Sequence, residues 1–345
     1  MKKSLLAIAI AAAVPAVASA QVTVGGIMDG GFNSVTTKQG TETTVNQTGG
    51  NAAGALASNR LFFRGTEKIG DMTAGFHYEL GIDAGGTGNL AVGMNSNASG
   101  AATAVPSQGI RMSIVSLAGG FGEIRVGRDY TPIFSLSAAL DTSQADNVNI
   151  GKSVYLNGAA SITTVRNSGQ IMYTLPTMGG LTARVAVTQR SKDPNATDDY
   201  EAQGGSVVYN AGPLMLGAAI NTQKTWTSAT ATTKREEMIV GGTYMVNQAL
   251  SLQLQYGDLQ TNGAKTYKGT QVGGRYNITP SLTALASYGT GDGTVGDFTA
   301  YKLGLVNSLS KRTRLYALYG ADELKATGKA TRERSELAIG INHAF

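Results

Sequence analysis

Few residues in this chain can do acid–base, thiol or metal chemistry. Its 345 residues include two histidines, His77 and His343, and no cysteine. His77 lies two residues before Glu79, so in an extended segment the two share a face and can titrate together. No G-x-S-x-G element accompanies them. A lipid-cleaving hydrolase would need a Ser–His pair, which only geometry establishes. No metal-ligand spacing and no phosphate-cradling loop is present. The expectation is no catalysis, no metal and no cofactor. What remains is fixed charge: Arg60, Arg64, Arg111 and Arg166 against Glu79, Asp141 and Asp146. Guanidiniums keep their protons at any working pH, so they suit steering and binding of anions.

The elements that carry these charges are legible from patterning. Hydrophobic residues make up 42% and charged residues 15%, with 46 glycines. That is too apolar for a disordered chain. Beyond residue 20 no apolar run is long enough for a spanning helix. Period-two alternation dominates instead. Leu250, Leu252, Leu254 and Tyr256 share one face, with Ser251, Gln253 and Gln255 on the other. Val272, Gly274, Tyr276 and Ile278 repeat this against Gln271, Gly273, Arg275 and Asn277. Such alternation marks strands with one apolar and one polar face.

Short connections alternate with long polar ones. The long set falls near 36–57, 84–108, 131–165, 191–199, 223–234, 259–266, 291–297 and 323–331, leaving sixteen strands between 22 and 345. An even strand count with alternating short and long connections predicts an all-β fold, a 16-stranded antiparallel transmembrane β-barrel. A bilayer forbids open sheet edges, so the strands must close. The bland alternative, a soluble secreted β-sandwich or solenoid, explains the alternation but not the loop rhythm.

Residues 1–20 read as a signal peptide: Lys2 and Lys3, an apolar run from Leu5 to Val14, then Ala18-Ser19-Ala20 before Gln21. Removing two of the 28 basic residues lowers the net charge from +5 to +3. That is too mild for nucleic-acid binding. Residues 21–345 form the barrel domain.

Several segments share a family pattern. Asn59-Arg60-Leu61-Phe62-Phe63-Arg64-Gly65-Thr66-Glu67 resembles the S-R-x-G-F-R-G-T-E strand of trimeric general porins of beta-proteobacteria. Residues 120–132 are similar to the G-F-G-x-x-R-x-G-R-x-Y-T-P segment that enters their third loop. Arg166-Asn167-Ser168 with Tyr173 and Pro176, and Leu309-Ser310-Lys311-Arg312-Thr313, match two further motifs. The last strand, with Leu337, Ile339, Ile341, His343 and Phe345 on one face, resembles the terminal signal read by the barrel-assembly machinery. Phe62 departs from the pattern, standing where the family has Gly; it is expected to face and narrow the lumen.

The resemblance implies an outer-membrane porin of the anion-selective type: a homotrimer among outer-membrane lipids and lipopolysaccharide, with short periplasmic turns and long external loops. It implies passive diffusion of small hydrophilic solutes and anions. A solute-specific channel is the alternative, because loops set substrate on a fixed barrel. The third loop, 131–165, is expected to fold inward as a constriction, with a short helix at Ser135–Leu140. With Leu61 and Phe63 toward lipid, Arg60 and Arg64 face the channel. With Met112 and Ile114 outward, Arg111 faces in. With Ile171, Tyr173 and Leu175 outward, Arg166 faces in. Arg60, Arg111, Arg166 and Arg64 form the basic wall, Glu79 orients a guanidinium, and Asp141 and Asp146 supply the acidic side. Strict alternation sends Arg128 outward, which places it at a strand end or beside a bulge. Loop 84–108 is the candidate trimer latch.

Overall fold

The structure, a computed structural model, describes residues 21–49, 54–82, 109–154, 162–190, 199–226, 228 and 231–345. The expected signal peptide and the 84–108 latch lie outside the described residues. Seventeen strand segments form one closed antiparallel sheet. β1 (Gln21–Gln39) closes it, pairing with β17 (Arg332–Ala344) on one side. On its other side β1 meets β3 (Arg60–Ile69) through its first half and β2 (Glu42–Gly49) through its second. β2 and β3 therefore make one interrupted stave, and the barrel has sixteen.

The outer face is apolar because the bilayer must be met by side chains that lose nothing in it. Val115, Ile220 and Leu254 all point outward and are exposed. Tyr209, Tyr244 and Tyr276 stand near the short-turn end, where a polar hydroxyl meets the membrane surface. The inner face carries Gln253, Gln255, Gln271 and Asn221, all buried within the barrel.

Several strands run further than their alternation predicts. The expected 36–57 connection is largely strand, with β1 continuing to Gln39 and β2 starting at Glu42. β12 (Leu250–Thr261) and β13 (Ala264–Asn277) leave only Asn262-Gly263 between them, both at positive φ (53° and 78°). Asn-Gly with both φ positive is the favoured two-residue hairpin turn. β14 (Leu282–Gly293) and β15 (Gly296–Ser308) are likewise joined by two residues. β10 (Leu214–Trp226) and β11 (Thr232–Met245) similarly run into the expected 223–234 loop.

In β12, β13 and β15 the cause is a phase reversal of the apolar pattern, not a turn. Leu254 points outward, but Leu259, Tyr267 and Phe298 point inward and are almost fully buried. They meet the third loop. Thr131 caps its helix, α1 (Pro132–Leu140), by accepting from the Phe134 amide; Pro at the first turn costs no hydrogen bond there. The helix starts three residues before the expected 135. Ile133, Leu136 and Leu140 of α1 pack with Val154, Ile162, Ile239, Leu259, Tyr267 and Phe298 in one apolar cluster inside the barrel. Thr131 closes the loop at its base: its amide donates to the Val165 carbonyl (3.1 Å) and its hydroxyl to the Thr164 carbonyl (2.5 Å).

Candidate functional site

With the third loop occupying one side of the barrel, the opposite wall is β3, β4 (Met72–Gly81), β5 (Ile110–Gly119), β6 (Gly122–Tyr130) and β7 (Arg166–Thr174). The expected guanidiniums gather there. Arg111 Nε donates to Glu79 Oε1 at 2.6 Å, and Arg60 Nη1 lies 3.7 Å from the same oxygen. Tyr130 gathers the other ends: its hydroxyl accepts from Arg166 (2.7 Å) and Arg111 (3.2 Å). The Arg166 guanidinium also lies over the Tyr130 ring, 4.3 Å from its centre. Three like charges are thus held around one phenol oxygen and one carboxylate.

Arg111 reaches this cluster by a different route from the expected one. Val115, 62% exposed, faces outward, so Met112 and Ile114 face inward, where both are buried. Strict alternation would then turn Arg111 to the lipid. Instead the β4–β5 register shifts: Glu79 pairs with Met112 and Leu80 with Ile110, so Arg111 is the extra residue of a bulge. Bulges re-aim side chains in this way. A second irregularity lies between Gly127 and Asp129 in the β6–β7 register, just before Tyr130 pairs with Arg166. Gly127 has φ 134°, and a Cβ there would sit 1.9 Å from the Ser113 carbonyl oxygen. Arg128 donates to the Ile110 carbonyl and to Ser168 at 2.8 Å each.

Arg64 does not join the cluster. It is exposed, four residues further along β3, with its guanidinium 5.2 Å from the Phe62 ring centre. His77 meets Glu79 Oε2 at 3.9 Å and the Phe62 ring edge-on. Arg125 pairs with buried Asp129 at 3.1 Å.

Asp141 and Asp146 differ most from expectation. Both are buried between the loop and the wall rather than open to the channel. Lys152 lies 3.4 Å from Asp141 and 2.9 Å from Asp146, and Lys302 of β15 lies 2.6 Å from Asp146. Two acids and two ammoniums form a closed set, because an unpaired buried charge would be too costly. Burial alone would raise the Asp141 pKa, but Lys152 and Lys302, with the Ser143 hydroxyl and the Ala145 amide, hold it down at about 2. Burial would lower Lys152, but Asp141 and Asp146 raise it above the ordinary lysine range. Arg275 adds a bond to the Thr142 carbonyl (2.9 Å). The four charges anchor the loop to the wall and leave its acidity neutralised.

Sequence reasoning did not single out Tyr130 or Lys302. Tyr130 sits inside the segment that resembles the third-loop entry. Lys302 alternates with outward Tyr301 and Leu303, a signal that parity alone carries.

Wide polar barrel, inward loop and charged wall together describe a channel. Residues 6–327 match the model of the Gram-negative porin family. The chain belongs to the Gram-negative porins. The porin is 32% identical over 377 aligned positions to outer membrane porin protein 32 of Delftia acidovorans, with both chains fully covered. It superposes on an anion-selective porin from Comamonas acidovorans with TM-score 0.71 and 26% identity, covering 95% of this chain and 100% of that one. The trimer form of OmpT from Vibrio cholerae shares the fold at 14% identity and TM-score 0.60, covering 94% and 99% of the two chains. The porin is therefore an outer-membrane β-barrel that forms a passive channel.

Proposed function

We propose that this porin works as a homotrimer, prefers anions to cations, and catalyses no reaction. The observation that carries the preference is the charge balance of the cluster: Arg60, Arg111 and Arg166 against Glu79. The acids of the facing loop are spent on Lys152 and Lys302. A low-dielectric wall focuses the field of such a cluster into the narrow water column. The anion-selective Comamonas porin supports the same reading by similarity. The trimeric OmpT form supports the assembly. The terminal Phe345, exposed and paired through its backbone with Gly26 at 3.1 Å in both directions, suits the proposed assembly signal.

The test is the zero-current potential of the purified porin in a planar bilayer under a potassium chloride gradient. The sign for chloride preference is expected at low salt. A potential of the potassium sign would refute the reading.

A further inference from the structure

β3 carries three successive side chains on its channel face: Arg60, Phe62 and Arg64. The alternation that aims Arg60 at Glu79 puts Phe62 directly opposite Glu79 in the β3–β4 register, on the same face. Its ring is half-buried, so it is part of the channel surface rather than of a core. The tip lies over Gly25 of β1, where a Cβ would come within 2.6 Å of Phe62 Cζ. Glycine at that position makes the space that lets the ring lie along the wall. The His77 ring meets Phe62 edge-on, with centres 5.7 Å apart and planes at 69°. Arg64 lies over it at 5.2 Å and is exposed. Among the described residues no carboxylate lies within ion-pair distance of Arg64.

We propose that this face is a binding subsite for aromatic carboxylates passing through the channel. A solute ring stacks against Phe62 and the guanidinium above it, since guanidinium planes also stack on aromatic rings. Its carboxylate then meets a guanidinium. Side chains two apart on a strand lie about 7 Å apart, so a ring held at Phe62 has a cation on each side along the direction of travel. Chloride and aliphatic acids use the charges but gain nothing from the ring. The subsite deepens the anion-preferring reading and rests on it for the admission of carboxylates, but its selectivity among carboxylates is separately measurable.

The test compares sodium benzoate with sodium cyclohexanecarboxylate, equal in charge and close in volume, as blockers of the potassium chloride current through single porin channels. Benzoate is expected to block at concentrations roughly two- to tenfold lower, the range that one aromatic pairing supplies. Phe62→Leu, which keeps bulk without the ring, and Phe62→Gly should each equalise the two blockers. Equal block in the parent, or discrimination that survives both substitutions, overturns the subsite. A parent without chloride preference refutes the proposed function instead, and the blocker comparison still decides the subsite.

Discussion

The Tyr130 and Phe134 rings stack with centres 4.9 Å apart and planes 8° from parallel. One is the last residue of β6 and the other belongs to α1, so the guanidinium cluster and the third loop share a fixed contact. Tyr130→Phe keeps this stack and the ring under Arg166 but removes the oxygen that Arg111 and Arg166 share. Bonds to charged groups are worth about 1.5–3 kcal/mol. The expected outcome is reduced chloride preference at unchanged single-channel conductance. Tyr130→Ala, which also removes the stack, should raise conductance by freeing the loop. Equal conductance in the two variants would show that the stack does not hold the loop.

Breaking the loop anchor should be costly on one side and mild on both. Asp146→Asn leaves Lys152 and Lys302 facing a neutral amide. Removing one partner of a buried ion pair typically costs about 3–5 kcal/mol. The variant is expected to show larger, noisier open-channel current. Pairing Asp146→Asn with Lys302→Met should recover part of the loss. A double-mutant cycle on thermal stability, read beside the current noise, measures the coupling, and a cycle energy near zero would contradict the anchor.

The anchor's pH window follows from its loop charges. The Asp141 pKa is depressed to about 2. Its stabilisation is therefore fully present above the unfolded value of about 3.9 and is lost as pH falls through about 2. The Lys152 pKa is raised, so its contribution is present below the unfolded value of about 10.4 and is lost as pH rises through the folded value. Loop-dependent current noise should stay constant from about pH 5 to about pH 7 and rise toward pH 2. A noise transition near pH 6 would contradict this assignment.

The sequence was legible where one physical demand acted on a segment. Leu250 to Tyr256 meets lipid outside and water inside, and its alternation reads as a strand. At Leu259, Tyr267 and Phe298 the inner neighbour is the third loop, and apolar side chains move to the inner face. The alternation changes phase there and imitates a strand end. Arg60 and Glu79 were legible by parity. Parity turns Arg111 inward only by facing Met112 and Ile114 outward, and it has no way to register the bulge that aims Arg111. Asp141 and Asp146 were recognisable as the loop's acids, but their partner Lys302 is 156 residues from Asp146 in the chain. Only folding brings them together.

Gly127 offers a test of that bulge. Gly127→Ala places a methyl group 1.9 Å from the Ser113 carbonyl oxygen at a φ of 134°, which L side chains rarely adopt. The expected outcome is a lower barrel melting temperature together with weakened chloride preference, since the strand end that aims Tyr130 must shift. Parent-like values for both would show that the bulge does not set the cluster.

The central claim is that Arg60, Arg111 and Arg166 set the anion preference. The direct measurement is the zero-current potential of the triple variant Arg60→Gln, Arg111→Gln, Arg166→Gln beside the parent, in potassium chloride gradients at low and high salt. The parent preference should shrink as salt rises, because the Debye length falls from about 10 Å at 0.1 M to about 3 Å at 1 M. The triple variant should lose or reverse the preference at low salt, since Glu79 is then left without its guanidinium partners. A variant that keeps the parent's potential while folding normally would contradict the claim.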